Sequence, residues 1–213
     1  MKKSIQLKIL SLLFLVSFTV AYSQSDDDND SSVSKSKFYL GVGLGLASPG
    51  GDNGEDIKVG LNLNFLNLGY RFSETWGATL NLSSSGHTSK DVEDISVGIA
   101  YLGIGPMYTV NLNESIYWDI KPQYAFNLSA AFVEDGNVSN DVTLQKGTGF
   151  VFGNSLVFGD GGKGFSFSID LDYMSGKFKE ITLLGTTVDI DDISGAEDAI
   201  TQFKLGVGVR YNF

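Results

Sequence analysis

Few residues in this sequence have side chains suited to chemistry, and the only histidine, His87, is the first to weigh. It stands in Ser83-Ser84-Ser85-Gly86-His87-Thr88-Ser89, with Asp91 and Glu93 just beyond. Acyl transfer needs a hydroxyl nucleophile, an imidazole base and a carboxylate to orient the base. Ser89, His87 and Asp91 or Glu93 are the residues that would supply them. The plainer reading of a lone histidine among serines is a solvated residue at a loop rim, so we expect no catalytic residue and no enzyme. The absence of cysteine excludes a disulfide framework, a thiolate metal site and a lipid-modified cysteine. With one histidine as well, a structural zinc site is not expected. Gly41-Val42-Gly43-Leu44-Gly45 and Gly103-Ile104-Gly105 are glycine-rich, but no helix follows to offer its N-terminal amides to a phosphate. Acidic clusters recur at Asp52, Glu55 and Asp56, at Asp91, Glu93 and Asp94, and at Asp189, Asp191, Asp192, Glu197 and Asp198. Their spacing is not that of an EF-hand. We expect neither a resident metal nor a cofactor.

The elements that carry these residues alternate with a period of two. Phe38, Leu40, Val42, Leu44 and Leu46 fall on one face, and Tyr39, Gly41, Gly43, Gly45 and Ala47 on the other. Phe203, Leu205, Val207, Val209, Tyr211 and Phe213 repeat the pattern at the far end. Successive side chains of a strand point to opposite faces, so this is strand periodicity. Eight such segments lie near 37–47, 57–72, 75–84, 95–110, 115–129, 148–159, 164–175 and 200–213. The phase slips at Phe65-Leu66 and at Tyr101-Leu102, where a β-bulge would restore it. The connections alternate in length. Those at 73–74, 111–114 and 160–163 are short, whereas those at 48–56, 85–94, 130–147 and 176–199 are long and acidic.

Ahead of the strands, Lys2 and Lys3 precede an apolar run from Ile9 to Tyr22 that ends in Ala21-Tyr22-Ser23. The run is shorter than the roughly 20 residues of a spanning helix, and residues 1–23 read as an export signal peptide. Its removal leaves 12 basic against 25 acidic residues, a charge of about −13 that argues against binding nucleic acid. Residues 24–36 are polar and acidic with little to bury, and read as a disordered tail. The strand region is 37–213.

Volume decides which face is outside. The apolar face carries roughly forty large side chains, while an eight-stranded barrel has an interior only just filled by side chains. The opposite face is rich in Gly, Ala, Ser, Thr and Asn and fits a narrow interior. The apolar face must therefore look outward, which only lipid makes tolerable; a two-sheet sandwich is the alternative able to bury more. Tyr70, Phe72, Trp76, Tyr108, Trp118, Phe158 and Phe165 gather beside the short turns, as an interfacial aromatic girdle would, and Phe126, Phe150, Phe152 and Tyr173 would form a second. The fold class expected is all-β, an eight-stranded antiparallel up-and-down transmembrane β-barrel. On its inward face we place Lys58, Arg71, Asp119, Lys121, Asp170, Asp172, Lys204 and Arg210, a charge network that plugs the lumen, with Asp172 and Lys204 the favoured pair.

With these features the chain resembles the small eight-stranded OmpA/OmpX-like outer-membrane barrels of Gram-negative bacteria. The resemblance covers residues 37–213. It implies an outer-membrane address reached by Sec export, contact with membrane lipid and lipopolysaccharide, and a monomer. The alternating Val209, Tyr211 and terminal Phe213 resemble the signal read by the barrel-assembly machinery, which implies that machinery as a partner. The acidic loops would either be solvated or bridge to lipopolysaccharide phosphates through divalent cations. The function implied is structural or surface-interacting. A narrow solute channel is one alternative. A lipid A-modifying enzyme is another, since His87-Thr88-Ser89 resembles the His-x-Ser element of a lipid A deacylase, although Lys90-Asp91 stand where that family has Asn and Gly.

Overall fold

The computed structural model describes residues 35–51, 54–90, 95–134, 142–193 and 198–213. The expected signal peptide and all of the tail before Lys35 lie outside these, as do Asp52, Asp91, Glu93, Asp94 and Glu197. Among the described residues no helix is long and apolar enough to cross a membrane, which says nothing about crossing by strands.

Alternation produces strands where expected: β1 (Phe38–Gly50), β2 (Gly60–Arg71), β3 (Trp76–Thr88), β4 (Ile95–Asn113), β5 (Ile116–Glu134), β6 (Val142–Phe158), β7 (Gly164–Lys177) and, after a short β8 (Glu180–Leu183) and β9 (Thr186–Asp189), β10 (Ala199–Asn212). Each of the eight long strands pairs antiparallel with its neighbours. β1 closes on β10 from Tyr39↔Asn212 to Gly50↔Thr201, and β5 pairs with β6, so the sheet is a closed eight-stranded barrel with no free long edge. Closure leaves no edge strand, the condition for a sheet to sit in lipid.

The outer face is apolar. Leu40, Val42, Leu44 and Leu46 of β1, Leu61, Leu63 and Phe65 of β2, Phe165, Phe167 and Ile169 of β7, and Phe203, Leu205, Val207 and Val209 of β10 are all exposed. The slip at Phe65-Leu66 is a true bulge, since Asn64 and Leu66 of β2 pair with Ser83 and Leu82, leaving Phe65 as the extra residue.

Three expectations need correction. The slip at Tyr101-Leu102 is not a bulge on β4, whose pairing with β3 runs unbroken from Trp76↔Tyr108 to Thr88↔Ser96. Val97, Ile99 and Tyr101 are buried inside, whereas Ile104 is exposed outside. The slip marks the height at which the lumen filling changes from apolar to polar. The extra residue lies opposite, on β5, where Asn127 has φ 51°. Secondly, the fourth long connection is not wholly irregular. β8 extends the sheet from β6 (Val142↔Leu183 to Gln145↔Glu180) and turns through Leu184-Gly185 into β9. Thirdly, the inward face is not uniformly small and polar. Toward the long loops Ile57, Val97, Ile99, Leu128, Val151, Met174 and Ile200 pack with Phe178 and Ile190 into an apolar core.

Candidate functional site

The barrel interior is the place where polar side chains converge, and it is layered. Nearest the short turns, Arg71 at the end of β2 and Arg210 near the end of β10 both reach Asp119 of β5. Arg210 Nη1 donates to Asp119 Oδ2 at 2.8 Å and Arg71 Nη2 at 3.3 Å, and Thr109 Oγ1 donates to Oδ1 at 2.6 Å. All three charged groups are buried, at 3%, 2% and 0% exposure. The guanidiniums lie among two tyrosine rings. Arg210 sits 4.5 Å from the centroid of Tyr39 and 5.0 Å from that of Tyr117, and Arg71 sits 5.3 Å from each. Arg71 Nε and Arg210 Nε and Nη2 have no hydrogen-bond acceptor and are left to these π faces. Two cations share one carboxylate here. From below, Arg71 Nη1 donates to the Ser36 carbonyl at 3.3 Å and Lys35 bonds Asn111, closing this end of the lumen.

The middle layer holds Lys121, Ser155 and Asp170 in series. Lys121 Nζ donates to Ser155 Oγ at 2.6 Å, and Ser155 Oγ donates to Asp170 Oδ1, whose other oxygen accepts from Ser168 Oγ at 3.0 Å. Asp172 and Lys204 are cross-strand partners in the register, as sequence reasoning had placed them. The structure gives the lysine other contacts. Its Nζ donates to Ser83 Oγ at 2.8 Å and lies 4.3 Å from the centroid of the Tyr101 ring, so the favoured ion pair is replaced by a hydroxyl and an aromatic face. A cavity of about 10 Å³, room for about one water, is lined by Asn62, Asn64, Asp170, Asp172 and Lys204. Gly206, also in its lining, adds no side chain to that space.

Lys58 is a further correction. It lies exposed in the connection before β2 and not on the inward face; its backbone N–H donates to the Thr88 carbonyl at 2.9 Å and its carbonyl meets His87 Nδ1 at 3.0 Å. The bulge-free start of β2 at Gly60 places Lys58 above the rim, where alternation no longer governs which way a side chain points.

His87 is likewise not a solvated rim residue. It is 5% exposed and faces the lumen. Its Nδ1 contact to a carbonyl makes Nδ1 the donor, leaving Nε2 to accept from Ser85 Oγ at 2.9 Å. Gln202 Nε2 donates to the same Ser85 oxygen at 2.8 Å. Ser89, the proposed nucleophile, lies beyond the strand in a bridge with Ile57, and the carboxylates proposed for it lie outside the described residues. The histidine–serine contact that does form is at Ser85, two strand repeats away from the expected partner, and both residues are buried. Among the described residues no group of three metal-binding side chains comes together.

The aromatic residues form the outer collar. Tyr70, Phe72, Trp76, Phe158 and Phe165 are exposed at the short-turn end, and the half-buried Tyr108 and Trp118 join them. Trp76 and Tyr108 meet edge to face at 4.9 Å, and Phe165, Tyr211, Phe213 and Phe38 make successive contacts at 5.0, 5.0 and 5.3 Å. This chain of rings crosses the β7–β10–β1 closure. Val209 and Phe213 are exposed on the same outer face.

No curated protein sequence matches this chain. Among solved structures it is similar to Neisserial surface protein A, with 13% identity, 84% of this chain and 98% of that one covered, and a TM-score of 0.56. It is also similar to Ail, the attachment invasion locus protein of Yersinia pestis, with 17% identity, 83% and 99% covered, and a TM-score of 0.46. At such identities the likeness is one of fold. The sequence model described as an outer membrane protein beta-barrel domain matches residues 10–213. The chain belongs to this outer-membrane β-barrel family, and its apolar outer face is the one that the membrane covers.

Proposed function

We propose that the protein is an axially closed, non-conducting and non-catalytic barrel that serves the outer membrane structurally and through the elements at its long-loop end. The observation that carries this reading is the filling of the lumen. An Arg71–Asp119–Arg210 layer bounded by Tyr39 and Tyr117 stands at one end, and an apolar core containing Ile99, Leu128, Met174 and Ile200 stands at the other. A conducting pore needs a continuous wet path, and an eight-stranded lumen has little room for one once its side chains are in place. Short turns face the periplasm and long loops the exterior in such barrels. The β8–β9 hairpin and the acidic loops then belong to the cell surface, where Leu183, Leu184 and Val188 are exposed. Export by the Sec pathway, a monomeric state and recognition of Val209, Tyr211 and Phe213 by the assembly machinery belong to the same proposal.

Planar-bilayer recording of the refolded protein tests it. No unitary conductance above background is expected. Stable single-channel steps would overturn the closed reading in favour of a narrow channel. Turnover of lipid A lost on replacing His87 or Ser85 would overturn the non-catalytic one.

A further inference from the structure

The wall between β4 and β5 has a gap at mid-height. Ile104↔Tyr124 and Tyr108↔Ile120 are paired, but the three positions between them on each strand are not, although the register is unchanged across the gap. At this height both strands stay paired on their other sides, Gly105 to Met107 with β3 and Lys121 to Gln123 with β6. The constant register sets Pro106 directly opposite Pro122. An antiparallel pair of this kind exchanges two N–H···O bonds, and neither proline has an N–H to give. Losing those two bonds accounts for all three missing bridges, because the flanking positions depend on the same donors. Each proline carbonyl is left facing a ring nitrogen that carries no hydrogen.

In hydrocarbon a sheet edge of this kind is tolerated only where it is covered by protein or lines a cavity. The side chains around it do not cover it well. Gly103 and Gly105 place nothing on the inner side, and the Pro122 carbonyl packs so closely on Gly105 that a Cβ there would collide with it. The inner cover is Gln123, whose Oε1 lies over Gly103 and accepts from Asn81 Nδ2 at 3.3 Å. Gln123 Nε2 and Asn81 Oδ1 have no partner. Unsatisfied polar atoms thus collect on the inner side of the break.

We infer that the barrel opens sideways at this break, with β4 and β5 parting around Pro106 and Pro122 and admitting a lipid acyl chain to the lumen at Gln123. A lumen closed along its axis is then still reachable from the bilayer. The opening requires that Gln123 swing away from Gly103 and that the flanking pairs Ile104↔Tyr124 and Tyr108↔Ile120 give way.

The test uses the full barrel reconstituted in phosphatidylethanolamine–phosphatidylglycerol vesicles whose acyl chains carry a mid-chain photoactivated diazirine. Adducts are mapped by mass spectrometry. Lumenal adducts at Gln123 or Gly105 are expected beside the ordinary ones at lipid-facing Ile104 and Leu205. They should fall at least tenfold in Pro106→Val/Pro122→Val, which restores both donors, while labelling of Leu205 is unchanged. Adducts at Gln123 no more frequent than at Ser155, a lumenal residue on β6 away from the break, would overturn the inference in the unmodified protein alone. Adducts that persist undiminished in the double variant would overturn it equally.

Discussion

Replacing Asp119 by asparagine removes the one carboxylate that two buried guanidiniums share while leaving the side chain's shape almost intact. With Arg210 at 2.8 Å and Arg71 at 3.3 Å, each attraction is about 5 kcal/mol at an effective dielectric constant of about 20. Much of that is already offset by the desolvation of three charges. Breaking a buried pair by deleting one partner costs about 3–5 kcal/mol net, because the remaining charge stays buried without compensation. Here two cations would be stranded, and Arg71 Nε and Arg210 Nε and Nη2 already lack acceptors. Urea unfolding of the refolded protein, followed by tryptophan fluorescence, measures the loss; at a slope of about 2 kcal/mol per molar, the midpoint should fall by about 2 M. Asp172→Asn is the internal comparison. Lys204 has Ser83 and the Tyr101 ring as its contacts, so this change should cost about 1–3 kcal/mol and no more. Converting Asp119, Arg71 and Arg210 together to Leu, Met and Met should recover most of the stability lost in Asp119→Asn. A loss below about 1 kcal/mol for Asp119→Asn, or a larger one for Asp172→Asn, would refute the assignment of the lower layer as the main electrostatic lock.

Other outcomes follow from local geometry. A Cβ on Gly45 would meet the Leu205 carbonyl and stand 2.5 Å from Gly206 Cα, so Gly45→Val should block the β1–β10 closure and abolish the faster migration of the unheated protein in electrophoresis. Leu184 holds φ 51° at the tip of the β8–β9 hairpin and is 70% exposed. Leu184→Gly should relieve about 1 kcal/mol of backbone strain, read as slower amide exchange in β8 and β9. The Lys177 ammonium donates to Asp198 at 2.8 Å and holds that carboxyl below the usual aspartate range. A depressed carboxylate contributes above its unfolded pKa and is lost as pH falls through the folded one. The Asp198 carboxyl resonance should therefore titrate at a lower pH than in Lys177→Met.

Much of the architecture was legible because alternation is a local property. The eight long strands, the bulge at Phe65-Leu66 and the segregation of short turns from long loops follow from residue order, since each strand's two faces meet different media. The lumen was legible only in part. Arg71, Asp119, Lys121, Asp170, Asp172, Lys204 and Arg210 fall inside by parity, but which of them touch depends on strand stagger, which parity does not contain. Lys58 escaped the rule because it precedes the first paired residue of β2. His87 reads as a rim residue because Ser85-Gly86-His87 looks like loop composition; the groups that meet it inside, the Lys58 carbonyl and Gln202, are distant in sequence. The signal that could have found it is parity, which puts His87 on the same face as Ser83 and Ser85.

Sequence by itself determined eight alternating strands whose large side chains exceed what a narrow barrel can hold inside, so that a barrel made of them must turn its apolar face outward. Only the tertiary structure decided which charges pair, where the lumen turns from polar to apolar, and that Pro106 stands opposite Pro122. Those depend on the register between strands, and register is set by closing the whole ring at once.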